Sequence, residues 1–344
     1  MLPSRNASGE CFKQQSGRLN WHLSRISSRE KILNYGDRVQ YTYSSSDDGA
    51  DIDVYVMDSG IYLEHSEFEG RAKWGMTANS IYEGNGDLNG HGTHVASLVG
   101  GKTNGVAKGV NIIAVKVFDM SGQGSAVNII EGIAWIAQDV ESKRKGRKKR
   151  RAVVNMSFGF TRAVNVVEGA LTELIAGGTS VVVAAGNSFV SACRICPARM
   201  ASVTTVGAST IYSTLAWFSN YGSCVDIIAP GDEILGAGIE KPDTRVRQSG
   251  TSMAAPIVAG VAARFLSSFE DDERWPTPAE VQTYLIDHGN QNFLDLSNSG
   301  TPNVEVYSGI SGCEDESENG VLCLAAPSLV QLLLVVLVLV KLLK

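Results

Sequence analysis

The 344-residue sequence lacks several things, and each absence narrows the reading. It has no basic excess: a formal net charge of −6 gives no footing for nucleic acid. Six cysteines are too few to frame a chain this long and allow only two or three staples, so the fold must rest on a core. The amino-terminal stretch MLPSRNASGECFKQQSG has no apolar run, so no signal peptide is visible in it. No internal repeat stands out. Charge is missing altogether from residues 321–340, VLCLAAPSLVQLLLVVLVLV. At helical rise this segment matches the hydrocarbon thickness of a bilayer, about 30 Å. Lys341 and Lys344 follow it, as on the cytoplasmic side of a single span. A buried core helix would carry a polar face, and this segment has none. The expectation is a membrane anchor or a lipid-anchor signal that is removed, with residues 309–320 as a polar stalk.

What is present suits one domain with a tail. The chain is 44% hydrophobic and 19% charged, enough to bury a sizeable core. Apolar runs at 51–58, 111–119, 152–159, 180–187, 202–209 and 224–231 are continuous in Val, Ile and Ala, which suits strands covered on both faces. Helical patterns lie at 91–99, 126–140, 164–176, 252–267 and 278–287. The alternation predicts an α/β fold: a mainly parallel central sheet with helices on both faces.

Functional groups in such sheets gather at the carboxyl ends of strands. The first run ends in VMDSG, placing Asp58 at an edge. A helix begins at His91, after the Asn89-Gly90 turn, and another at Ser252, after SGT. An acid, an imidazole and a hydroxyl at element edges suit nucleophilic catalysis. A serine hydroxyl needs an adjacent base. Histidine titrates near neutrality and a buried carboxylate fixes its tautomer. Ser252 at a helix start adds a backbone N–H for a developing oxyanion, and Asn187, closing VVVAAGN, is placed as the second donor.

DSGI, HGTHVA, AAGN and SGTSMAAP, in this order, resemble the subtilisin-like serine proteases, and among them the proteinase K group. The resemblance covers about residues 20–308 and extends to SRISS, HSEFEGRA, GVAKGV and FSNYGSCVDIIAPG. It implies a three-layer subtilisin-like fold, a triad of Asp58, His91 and Ser252, and an oxyanion hole of Asn187 with Ser252. It implies protein or peptide substrates that add as a strand between Ser121-Gly122-Gln123-Gly124 and the SFGF segment. Ser157, Phe158 and Gly159, with Ala184, Ala185 and Gly186, would line the first specificity pocket. No acid sits among them, so a broad apolar or aromatic preference is expected.

The resemblance also implies a structural calcium on Asp226 with the carbonyls of Ala201 and Val203; the plainer reading is an exposed strand-end aspartate. Catalysis itself needs no cofactor. Cys193 and Cys224 lie where some relatives carry a disulfide, which leaves Cys196 unassigned. The proteinase K disulfide positions are not kept, since Asp53 and Thr204 occupy two of them. Relatives carry a signal peptide and a pro-segment that inhibits and aids folding; a pro-segment, attached or separate, is an expected partner. Residues 1–19 read as an amino-terminal extension, with a remnant of the pro-region as one reading of it.

Other features have ordinary readings. His91 and His94 are three apart, but Gly92 and Thr93 between them offer no carboxylate base, which argues against a zinc-protease helix. His65 reads as structural and His94 as a supporting residue. The Cys193/Cys196 pair has no second pair to complete a zinc site. Asn155 heads a glycosylation sequon in an expected buried strand; Asn6 heads a more accessible one. The run KRKGRKKRR at 143–151 reads as a solvated loop, with a processing site or an anionic contact as alternatives. The expected function is a secreted or membrane-tethered serine endopeptidase. The alternatives are a catalytically silent binding protein of the same fold and a surface antigen.

Overall fold

The six predicted strands form the middle of a single nine-stranded sheet. Across the sheet the strands run Asn290–Gln291, Val304–Glu305, Ile227–Pro230, Thr204–Ser209, Ser180–Ala184, Arg151–Met156, Ile52–Asp58, Asn111–Lys116 and Ala72–Thr77. Every pairing is parallel except that of the two outermost two-residue strands. The molecule is known from a computed structural model, which describes residues 10–34, 40–145, 151–269, 274–296 and 300–309.

Alternation of side chains across the pleat explains why the strands read as unbroken apolar runs. Val54 and Val56 turn to one face with Ala114, Val153, Val182 and Val206. Tyr55 and Met57 turn to the other with Val115, Val154 and Val183. The helices His91–Gly100 and Thr251–Ser267 cover the first face and pack on each other. Ala126–Arg144 and Asn165–Ala176 cover the second.

The helix expected over 126–140 runs on to Arg144, with Ser125 as its cap, accepting from Asn128 N at 3.2 Å. Pro278–His288 starts at a reciprocal cap: Thr277 N donates to Glu280, and Glu280 N donates to Thr277 Oγ1. The edge strand Ala72–Thr77 was not legible, because Gly75 interrupts it. A Cβ there would lie 2.7 Å from Trp135 and 2.8 Å from the Ala114 carbonyl, so only glycine fits.

The hairpin Ile234–Ala237/Arg245–Gln248 and the helix Trp21–Ile26 lie outside the main sheet and were also missed. The amino-terminal boundary differs from expectation too. Cys11–Gln15 pairs antiparallel with Gln40–Ser44, and Gln14 Nε2 donates to the Thr103 carbonyl at 2.7 Å. Residues from 10 onward are thus tied into the domain rather than extending from it. Residues 310–344, where the anchor and nearly all of the stalk were expected, lie outside the described residues, as do Asn6 and residues 146–150 of the basic run. Among the described residues no helix is long and apolar enough to cross a membrane.

The ends of the basic run are anchored. Lys143 pairs with Asp53 at 2.9 Å and Asp139 at 2.6 Å, and buried Arg151 lies over the Trp275 ring. Asn155 is fully buried and donates to Ser157 Oγ at 3.0 Å, so its sequon is inaccessible. Cys193 and Cys224 form the expected disulfide, while Cys196 is a buried free thiol whose pKa burial pushes up to about 11.

Candidate active site

Asp58 is the last residue of Ile52–Asp58, the strand whose two neighbours, Asn111–Lys116 and Arg151–Met156, follow each other in sequence but lie on opposite sides of it. Such a switch point opens a crevice at the carboxyl ends of strands. His91 enters it from the first residue of its helix. Its Nδ1 lies 2.8 and 2.9 Å from the two Asp58 oxygens, and Ser59 N donates to the same carboxylate at 2.7 Å. Gly92 permits the approach: a Cβ there would stand 2.2 Å from the Gly60 carbonyl and 3.1 Å from Asp58 Cβ.

A second buried carboxylate, Asp87, was not anticipated. Its Oδ1 accepts from Ser59 Oγ and from the amides of Asn89 and Gly90, and its Oδ2 from the amide and hydroxyl of Thr93. It thus caps the helix that carries His91, whose own cap residue, Gly90, has no side chain to do so. Ser59 Oγ in turn accepts from Gly92 N at 3.0 Å, joining Asp87 to the Asp58 turn. Buried Lys116 donates to the Ser59 carbonyl at 2.6 Å.

Burial alone would depress the His91 pKa, but the Asp58 charge and hydrogen bond, with a smaller contribution from Asp87, outweigh it and raise the group. Nδ1–H donates to Asp58, which leaves Nε2 as the basic atom. Among the described residues Nε2 has no hydrogen-bond partner.

Ser252 lies in the first turn of Thr251–Ser267, and its hydroxyl donates to the Ser157 carbonyl at 3.0 Å. The pairing is reciprocal. Pro256 has no N–H to give the Ser252 carbonyl four residues back, and Ser157 Oγ donates to that carbonyl instead, at 2.8 Å. The structure therefore joins Asp58 to His91 and rests Ser252 on Ser157, which lines the neighbouring cleft. It shows no Ser252–His91 hydrogen bond.

Asn187 lies at the start of the helix that carries Ser252. Its Oδ1 accepts from Thr251 N at 2.8 Å and Thr251 Oγ1 at 2.9 Å, which turns Nδ2 away. A Cβ built on Gly250 would lie 3.2 Å from Asn187 Nδ2 and 3.5 Å from Ser252 N. The two donors thus border the space that the glycine leaves free. Thr251, buried and also accepting from Gly186 N at 3.0 Å, positions Asn187; it was not singled out, because a threonine opening a helix reads as an ordinary cap.

A cleft of about 480 Å³ runs beside His91, lined by Gly122, Gln123, Gly124, Ser157, Phe158 and Gly159, with Phe118 and Phe160 added. The Ser121-Gly124 loop is held by Asp119 Oδ1, which accepts from Ser121 N, Ser121 Oγ and Gln123 N. Ala184 and Ala185 are buried at the end of their strand rather than exposed in the cleft, and Gly186 is bonded to Thr251.

The other histidines serve structure. His94 Nε2 faces the carbonyls of Ile234 and Val246 at 3.1 and 3.2 Å, and burial pushes its pKa down to about 4. His22 is likewise buried, at about 4, against the Asn104 carbonyl. His65 bridges the Thr244 carbonyl and Glu67 N. Among the described residues no three His, Cys, Asp or Glu side chains cluster as a metal site. Asp226 accepts from Thr205 N at 2.7 Å, and burial pushes its pKa up to about 6.

Residues 49–304 match the model of the subtilase family. Subtilisin-like protease 3 of Saccharomyces cerevisiae is 38% identical over 298 residues, covering 84% of this chain and 61% of the relative. Subtilase-type proteinase psp3 of Schizosaccharomyces pombe is 41% identical over 287 residues, covering 83% and 62%. The chain thus spans about three fifths of the length of these two relatives. Subtilisin-like serine protease Rho m 2.0101 of Rhodotorula mucilaginosa is 39% identical, covering 84% of this chain and 85% of the relative. A crystal structure of a cold adapted subtilisin-like serine proteinase matches with a TM-score of 0.73 at 37% identity, covering 84% of this chain and 98% of that one.

Proposed function

The chain belongs to the subtilase family, and we propose that it works as a serine endopeptidase that cleaves proteins through an acyl-enzyme on Ser252. The observation that carries this reading is the Asp58–His91 pair, 2.8 Å apart at the sheet's switch point, beside a cleft whose wall holds the Ser252 hydroxyl. On substrate binding the hydroxyl leaves the Ser157 carbonyl and gives its proton to His91 Nε2 as Oγ attacks the scissile carbonyl carbon. The oxyanion forms between Asn187 Nδ2 and Ser252 N. His91 then returns the proton to the leaving amine, and water repeats the sequence to free the acyl group. Asp58 holds Nδ1–H and steadies the imidazolium. The aromatic walls, Phe118, Phe158 and Phe160, favour apolar or aromatic substrate side chains.

The Cys193–Cys224 bridge supports an extracellular or cell-surface location. Tethering by residues 321–344 and assistance by a pro-segment complete the proposal. The test is covalent labelling by a fluorophosphonate. Wild-type protein should label, and Ser252→Ala should not, with kcat falling on the order of a million-fold. Undiminished labelling of Ser252→Ala would overturn the assignment. A catalytically silent binding protein is the second reading, favoured by the Ser252 hydroxyl resting on Ser157 rather than His91. Casein assays with and without a supplied pro-segment separate the two: turnover in either sinks the silent reading, and none in both sustains it.

A further inference from the structure

Gln282 projects from the polar side of Pro278–His288 toward the turn that precedes Thr204–Ser209. Its Nε2 donates to the Val203 carbonyl at 3.0 Å and, more weakly, to the Ala201 carbonyl at 3.4 Å, and the same side chain faces the Asp226 carboxylate. These are the three oxygen groups that the family resemblance assigns to a calcium ion. The amide orientation follows from its partners, because two carbonyl oxygens call for the NH2 end rather than the oxygen.

The residues present do not fit calcium. The ion wants six to eight oxygens, with carboxylates to balance its charge. Here there is one carboxylate, already accepting from Thr205 N at 2.7 Å, and each carbonyl already accepts from Gln282 Nε2. Among the described residues no group of three His, Cys, Asp or Glu side chains forms around Asp226.

We propose that the Gln282 side-chain amide takes the place of a calcium ion, clasping Ala201, Val203 and Asp226 and pinning the helix Pro278–His288 to the sheet. An uncharged donor gathers the same oxygens without needing their full negative charge. The clasp therefore holds irrespective of calcium concentration. Nothing in this inference depends on Ser252 chemistry.

The test compares calcium binding by calorimetry on the chelator-stripped full chain, in wild type, Asp226→Asn and Gln282→Lys. An ammonium at position 282 cannot share this space with a calcium ion, so Gln282→Lys serves even where Asp226→Asn fails to fold. We expect the three CaCl2 titrations to superimpose, whatever calcium the rest of the chain takes up. A binding event present in wild type and missing from either variant would overturn the proposal. Gln282→Ala should lower the melting temperature by roughly 2–4 °C, with Gln282→Lys recovering it. An unchanged melting temperature in Gln282→Ala would equally defeat the clasp.

Discussion

The helices His91–Gly100 and Thr251–Ser267 are enclosed on all sides, whereas Ala126–Arg144 and Asn165–Ala176 bury one stripe each and leave the rest to solvent. In the first pair the few residues not buried are His91, Ser252 and Ser267. Two of those three carry the proposed chemistry. In the second pair Ile129, Ile133, Ile136 and Val140, and then Val167, Leu171 and Leu174, form ordinary apolar stripes. The enclosed helices thus act as rigid mounts that surface only at their tips. Close packing fixes a side chain at such a tip more firmly than a loop can. Small residues make the enclosure possible. A Cβ on Gly260 would stand 2.7 Å from Val106 Cβ and 3.0 Å from the Val99 carbonyl, so the two helices meet where no larger residue fits.

That contrast can be broken by substitution. Gly92→Ala should have the largest effect: its methyl would drive into the Gly60 carbonyl and push His91 from Asp58. A displacement of about 1 Å costs on the order of a hundred-fold in kcat/KM, measurable with a chromogenic peptide. Wild-type activity in Gly92→Ala would show that the mount is pliant.

A smaller effect is expected from pH. His91 must be neutral to accept a proton, and its pKa is raised above 6.5. The acid limb of kcat/KM therefore lies above pH 6.5 in wild type, with activity rising as pH climbs through it. Asp87→Asn removes one of the charges that favour imidazolium, so the limb should move to lower pH; a limb that stays put would remove Asp87 from the electrostatics and leave it only as a cap.

The smallest change is expected on the open pair. Gly169 is exposed, with no atom within 4 Å of the Cβ it lacks, so Gly169→Ala should stabilise the helix by about 0.5–1 kcal/mol and leave kcat/KM alone. Destabilisation there would mean that the outer helices are as tightly fitted as the inner ones.

Asp58, His91 and Ser252 stood out as candidates because they lie at the ends of elements with long apolar runs, whereas Asn187 lies three residues past its strand Ser180–Ala184. Asp87 was hidden in EGNGDLNG, where an acid reads as one more turn former; its role appears only once the loop has wrapped the helix start. Gln282 was hidden for the opposite reason. It lies on the polar face of an amphipathic helix, where a glutamine is expected to meet water, and only the packing of that helix against the sheet turns it inward. Ser157, Phe158 and Gly159 line the cleft beside His91. Ala184 and Ala185 are buried, and Ala185 N bonds to the Val206 carbonyl.

The packing of Thr251–Ser267 on His91–Gly100 also has a consequence in time. Ribosomes add roughly 5–20 residues per second, so on the order of ten seconds separates the birth of His91 from that of Ser252. Docking two such distant helices is slow as well, because loop closure must precede the contacts that reward it. A nascent chain therefore carries the proposed acid and base well before the proposed nucleophile. On the proposed mechanism the nucleophile follows seven of the sheet's nine strands, and the order of synthesis itself delays self-digestion until those strands have been made.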